Sequence, residues 1–435
     1  VDPALLLLPP MLMAAVVALL VPLALARETR VPALAASRAG LVESVDIHHC
    51  NMSRGEVFHH DQCMRAELAG TPSELLLLPP DFQFGVATAS YQIEGAVDED
   101  GRGPSIWDTF SHTPGRTRDG DTGDVAIDHY HRWREDTALI SALGVQWYRM
   151  SIAWPRIMPD GYTVNQAGVD WYRRLVRTLL AANVQPMFTL YHWDLPQALE
   201  DAGGWRNASM IVPAFKAYAA FMFREFGGVI KDWVTFNEPA SFVFMGHGTG
   251  QHAPGRCSDR TRCPAGNSST EPFLAAHSVL LSHAHAVNAL RAMSGPGGAC
   301  EGCRVGMANC LQWSQPLVPG SLGDWVAAEW RMEAEMGIWA DPVIFGDWPL
   351  VVREAVGDRL PRFSAEDRAL LRGSVDYFGL NYYTSHFVHQ RMDRPNDADT
   401  GQYTEPDQPG RDMVVQRRPG TGEPIGPVGG TPWVM

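Results

Sequence analysis

Trp233-Val234-Thr235-Phe236-Asn237-Glu238-Pro239 is a short apolar run that ends abruptly in an amide, a carboxylate and a proline. A run of this length, bounded by a turn residue, reads as a buried strand. Pro239 stiffens the turn that follows, so the strand delivers Glu238 at its carboxyl end on a rigid mount. An Asn-Glu-Pro triplet alone is an ordinary turn or helix start. Its weight comes from the pattern around it.

Working outward, short apolar runs recur at Phe82–Ala89, Val145–Ile152, Val184–His192, Val305–Asn309 and Tyr377–Tyr382. Between them lie helical patterns over Trp171–Ala182, Val212–Phe226, Pro272–Met293 and Asp324–Met336. Strands alternating with helices imply parallel βαβ units, either doubly wound or closed into a barrel. The run ends decide between the two. They carry Ser90-Tyr91-Gln92, Trp154, His192-Trp193-Asp194, Asn237-Glu238, Gln312-Trp313 and Asn381-Tyr382-Tyr383. Chemistry gathered at the carboxyl ends of many separate strands marks a TIM barrel, and the glycine-rich turn of a nucleotide fold is missing after the first run. The expected fold is therefore α/β, a (β/α)8 barrel with about six of its eight units present. From about Arg391 the sequence is dominated by Gly, Pro, Asp and Arg and reads as a long loop without strand or helix.

A carboxylic acid at a barrel mouth suits general acid catalysis. Glycoside hydrolysis needs such an acid, protonated near neutral pH, to donate to a leaving oxygen. It also needs side chains that grip sugar hydroxyls, which Asn237 and His192 could supply. The stretches Phe84–Gly95, Tyr148–Arg156, Leu190–Pro196, Thr235–Pro239 and Tyr377–Tyr383, taken in that order, resemble glycoside hydrolase family 1, the β-glucosidase family. The resemblance runs from residue 81 to roughly 385, and Gly255–Phe273 looks like the plant and eukaryotic branch.

That resemblance implies roles. Glu238 matches the acid/base and Asn237 the residue bonding the sugar 2-hydroxyl. Gln92 and His192 match ligands of the sugar, and Trp193 lies in the same wall. Asn381 and Tyr383 match the pair beside the nucleophile, with the tyrosine orienting that carboxylate. Gln312-Trp313 falls where the family often has Asn-Trp. Arg149 either supports the nucleophile electrostatically or sits in a buried structural ion pair. Trp154 and Trp233 read as core, Glu94 and Asp194 as structural, and His277, His283 and His285 as packing or surface positions on one helix. The implied activity is that of a retaining β-glycosidase acting on O-linked β-glycosides, without metal or cofactor. Such chemistry needs two carboxylates about 5–5.5 Å apart. The Ile-Thr-Glu-Asn-Gly that holds the second in this family does not occur, and Glu405 is a weak echo in a loop-like region. The polypeptide as given is expected to be inactive, ending before its nucleophile. The alternative is a non-catalytic carbohydrate-binding relative.

Composition agrees with a globular protein that handles small molecules. The chain has 435 residues, 45% hydrophobic and 19% charged, with a net charge of -14. No basic run suggests nucleic acid or an anionic membrane as partner; oligomeric state is not legible. The 14 Trp suit sugar stacking but equally suit a core. Residues 1–26 resemble a secretory signal, with an apolar Met11–Ala26 closing on Ala24-Leu25-Ala26, and cleavage is read over an uncleaved anchor because Pro9, Pro10 and Pro22 interrupt a spanning helix. Residues 27–80 read as a poorly ordered leader and 81–435 as the partial barrel domain. Seven Cys and the sequons at Asn51, Asn207 and Asn267 fit a secretory route to an extracellular, vacuolar or lysosome-like compartment. Cys257 and Cys263, in a turn-rich polar loop, suggest a small disulfide ring. Cys50 and Cys63, amid four histidines, suggest a disulfide rather than zinc, and Cys300 with Cys303 a disulfide beside the odd thiol Cys310.

Overall fold

In the computed structural model, Pro79, residues 81–390 and the backbone of Asp412–Val415 are described. The signal-like segment, the leader, Asn51, Cys50, Cys63 and Glu405 lie outside the described residues. The chain divides into two units, Val1–Pro80 and Asp81–Met435. Every described strand and helix belongs to the second unit.

Six strands, β1 (Gly85–Thr88), β2 (Trp147–Ser151), β3 (Gln185–Tyr191), β4 (Asp232–Asn237), β5 (Arg304–Pro316) and β6 (Tyr377–Gln390), pair in sequence order, every neighbour parallel. A doubly wound sheet would reverse its order at some point; this one never does. The intervening helices include α1 (His129–Ala142), α2 (Gln166–Ala181), α3 (Ala208–Phe226), α4 (Pro239–His247), α5 (Glu271–Ala292), α6 (Leu322–Met332) and α7 (Ala365–Leu371). The result is an open arc of six parallel strands, an incomplete (β/α)8 barrel.

Side-chain spacing explains which faces are covered. In α2, Val169, Tyr172, Val176 and Leu179 recur on one face, and in α3, Ile211, Phe215, Tyr218, Met222 and Phe226 do the same; all are buried. Every residue of β4 is buried, as expected of a central parallel strand covered on both faces. Trp154, Trp171, Trp205, Trp233 and Trp339 are fully buried, so much of the tryptophan content serves the core. Burying each such ring contributes roughly 2–3 kcal/mol. His283 of α5 is buried between Thr235 Oγ1 (2.7 Å) and Ser374 O (2.9 Å), and the His277 ring lies on Phe363; these are packing residues.

At the far edge the arc stays open. Phe378, Leu380 and Tyr382, spaced by two along β6, are exposed together. That is the outward face, where barrel strands are normally covered by helices. The only β6 partner on this side among the described residues is a four-residue strand, β7 (Asp412–Val415), antiparallel to Phe387–Gln390. This corrects the expectation of an unbroken loop after Arg391: the unpaired edge of β6 gives Asp412–Val415 a partner that local composition could not reveal.

Strands β5 and β6 also run well past the expected ends, to Pro316 and Gln390. Their extensions are held by α6, where Ala327 and Ala328 bury against Val388. Asp324 accepts the main-chain N–H of Val318 and Gln390 at 3.0 Å each.

Candidate active site

Glu238 follows β4 in a left-handed backbone conformation (φ 47°, ψ 62°), and Pro239 begins α4 directly after it. The pairing register with β5 shifts between Val234 and Asn237, and the Glu238 N–H is taken by Ala308 O at 2.7 Å. Register breaks of this kind re-aim side chains beside functional sites. The carboxylate is buried, at 7% exposure, yet accepts three hydrogen bonds. Oε1 receives Asn381 Nδ2 at 2.6 Å and the Tyr383 hydroxyl at 3.2 Å, and Oε2 receives the Ser241 hydroxyl at 3.0 Å.

Asn237 binds the cluster together. Its Oδ1 accepts from Arg149 and, at 3.1 Å, from Asn381 Nδ2. Two donors on one oxygen fix the amide, so its Nδ2 must donate to His192 Nε2, 3.1 Å away. The proton of the neutral imidazole then sits on Nδ1, which is buried without a hydrogen-bond partner among the described residues. Burial, reinforced by the Arg149 charge, pushes His192 down to about 3 and keeps it neutral. Trp193, itself left-handed (φ 79°), donates Nε1 to Asn237 O at 2.8 Å.

Arg149 makes no ion pair among the described residues; it donates to the Asn237 amide. Burial lowers its pKa, and the charge on Glu238 acts in the opposite sense. Burial and the Glu238 charge raise Tyr383 to about 12, so its hydroxyl remains a donor at neutral pH.

The structure thus brings Glu238, Asn237, His192, Trp193, Arg149, Asn381 and Tyr383 into one hydrogen-bonded cluster. Gln92 stands apart: it lies in the short helix Ser90–Ile93 after β1, exposed, and its side chain bonds to none of the others. Trp313 is exposed at 49% and donates to Gln315. Glu94 and Asp194 lie in separate buried networks, Glu94 with Arg156 and Tyr172, Asp194 with Ser90. Residues not anticipated are Ser241 and His252, whose ring packs between Trp107 (5.4 Å) and Trp193 (5.2 Å). Ser241 had a signal in its place three residues after Glu238 on a helix start; His252 had none.

Cys257 and Cys263 are joined by a disulfide in the loop between α4 and α5. Cys300 and Cys303, expected to pair, are instead buried thiols. Their sulfurs point at main-chain carbonyls at the end of α3 and beyond it, Phe223 for Cys300 and Gly227 and Ile230 for Cys303. Among the described residues no group of three or more His, Cys, Asp or Glu is placed to hold a metal ion.

The site is thus a parallel barrel arc with a buried glutamate after its fourth strand, gripped by Asn381, Tyr383 and Ser241. The profile of glycosyl hydrolase family 1 matches residues 76–422, and the chain belongs to that family. It is 47% identical over 314 residues to Beta-glucosidase 6 of Oryza sativa subsp. japonica, covering 71% of this chain and 59% of that protein. It is likewise 47% identical over 312 residues to Beta-glucosidase 1B of Phanerodontia chrysosporium, covering 71% and 57%. The chain therefore spans just under three-fifths of these two relatives. Among solved structures, a rice β-glucosidase superimposes with a TM-score of 0.76 at 43% identity, covering 82% of this chain and 73% of that one. A β-glucosidase of the same family from the fungus Humicola insolens, in complex with glucose, gives 0.76 at 41%, with the same coverage.

Proposed function

We propose that this protein hydrolyses O-linked β-glycosides with retention, Glu238 serving first as the acid and then as the base. The observation that supports this most directly is the Glu238 carboxylate itself: buried, at a strand's end, and held by three side-chain donors. In the first step Glu238 protonates the leaving oxygen; in the second it takes a proton from the incoming water. Asn237, fixed by Arg149 and Asn381, and the neutral His192 are read as the groups that hold sugar hydroxyls. The names of the relatives favour a β-glucoside as substrate. The second carboxylate is to be sought outside residues 81–390. The sequons at Asn207 and Asn267, the latter exposed, and the Cys257–Cys263 disulfide support a secretory location. No described helix is long and apolar enough to cross a membrane.

The test is Glu238→Gln in the full gene product. Loss of the acid should cripple alkyl glycosides by about 10²–10⁴-fold while sparing the first step for aryl glycosides with good leaving groups. Azide should restore turnover of the aryl substrate, giving a β-azide product. Equal losses on both substrates, without azide rescue, would remove Glu238 from this role. Sugar binding without hydrolysis by the full product would favour the carbohydrate-binding alternative.

A further inference from the structure

The two oxygens of Glu238 are not equivalent. Oε1 faces Asn381 Nδ2 at 2.6 Å and Tyr383 at 3.2 Å. The Asn381 amide nitrogen also reaches Asn237 Oδ1 at 3.1 Å, so its orientation is set by two acceptors and it can only donate. A proton on Oε1 would point at that N–H. Oε2 has a different neighbour, the Ser241 hydroxyl at 3.0 Å. A hydroxyl carries one donor and two acceptor sites and can turn to suit either protonation state. Ser241 is also held in place: it lies in the first turn of α4, and its N–H is bonded to Glu238 O at 2.9 Å.

We propose that Oε2 is the proton-carrying atom of Glu238 and that Ser241 is a positioning residue which turns its hydroxyl as that proton leaves and returns. This rests on the acid/base reading above. In the protonated enzyme the Ser241 oxygen accepts from Oε2–H or stands aside for the leaving oxygen. As the bond from the sugar C1 to the leaving oxygen breaks, the electron pair goes to that oxygen and the Oε2 proton follows it. Ser241 then donates to the new carboxylate, and the motion reverses when Glu238 takes a proton from water. A donor aimed at a carboxylate favours its charged form. Ser241 therefore stabilises the carboxylate that forms as the proton leaves Oε2.

The test compares Ser241→Ala, Ser241→Thr and Glu238→Gln in the full gene product, with kcat/KM measured against pH on an aryl β-glucoside. Removing the hydroxyl should move the alkaline limb of the profile to higher pH. It should also slow alkyl glycosides several-fold more than aryl ones. Ser241→Thr, which keeps the hydroxyl, should restore both. A folded Ser241→Ala variant with an unmoved alkaline limb, or one equally slow on both substrates, would overturn the assignment. If Glu238→Gln fails its own leaving-group test, the acid/base reading falls first, and the two failures are told apart. Carboxylate infrared difference spectra, with Glu238→Gln as the blank, follow the same titration without turnover. An unchanged titration on Ser241→Ala would overturn the proposal there as well.

Discussion

Removing the charge from Glu94 should unfold more of this protein than removing most single hydrophobic side chains. Glu94 Oε2 accepts Arg156 Nε at 3.0 Å, and its Oε1 accepts the Tyr172 hydroxyl. The Arg156 side chain is fully buried and that of Glu94 only 5% exposed, so solvent screens the pair very little. Arg156 also donates to Gly95 O (3.0 Å) and Ala96 O (3.4 Å), and its guanidinium lies 4.1 Å from the centre of the Tyr130 ring. Packed in this way, the cation cannot swing into water when its partner is lost. Breaking a buried pair from one side costs about 3–5 kcal/mol, a large part of the 5–15 kcal/mol that typically separates folded from unfolded protein. Glu94→Gln should therefore lower the thermal midpoint by about 4–8 °C. Arg156→Met should cost a similar amount, and the double variant about 2 kcal/mol less than the sum. Urea denaturation of the four proteins closes the cycle. A Glu94→Gln loss below about 0.5 kcal/mol, or strict additivity, would show that the pair does not hold the β1 loop to the end of β2.

Asp194 is raised to about 7, by burial first, with Ser90 pulling the other way. The native state therefore keeps this proton between about pH 7 and 4, where the unfolded chain has lost it, and the group adds stability as pH falls. Asp194→Asn forgoes that gain, so the variant should compare worst with the parent near pH 5 and best near pH 8; an equal difference at both would refute the shift. Replacing Cys257 and Cys263 by Ser opens a loop with a sequence separation of 6, which should cost about 2 kcal/mol. A loss above about 5 kcal/mol would mean that the loop is part of the core. Cys300 and Cys303 should resist alkylation in the native state and both react after denaturation without reductant; a non-reduced cross-link between them would contradict the thiol assignment.

The parallel arc and most of the site were readable because barrel chemistry sits where apolar runs stop. Each run announced both a strand and the residue at its mouth: Glu238 after Phe236, His192 after Tyr191, Asn381 within Tyr377–Tyr383. What stayed hidden depended on partners far off in the chain. The extensions of β5 and β6 alternate too weakly to be recognised without α6, and β7 is a strand only because β6 offers it an edge. The Cys300-x-x-Cys303 spacing suits a disulfide as well as a turn, and only the carbonyls at the end of α3 decide where the sulfurs point. Ser241 had only its place three residues after Glu238 to mark it, and a hydroxyl on a helix start is unremarkable until its contact with the carboxylate is seen.

The left-handed backbone at Trp193 and Glu238 carries a consequence for how this sequence can drift. Most positive-φ positions among the described residues are Gly, Asn or Asp, which tolerate that region, or a small Ala; Trp193 and Glu238 are the large exceptions, and Trp193 bonds the carbonyl of Asn237, the residue before Glu238. Each holds roughly 1–3 kcal/mol of strain that the surrounding structure must carry. Both sites are therefore frustrated, tolerated for what the side chain does rather than for what it adds to folding. Freed from selection for chemistry, Glu238 should slide toward glycine and the protein should become harder to melt as it grows less useful. A lineage that keeps glutamate there while its surface positions diverge is still being selected for what that buried carboxylate does.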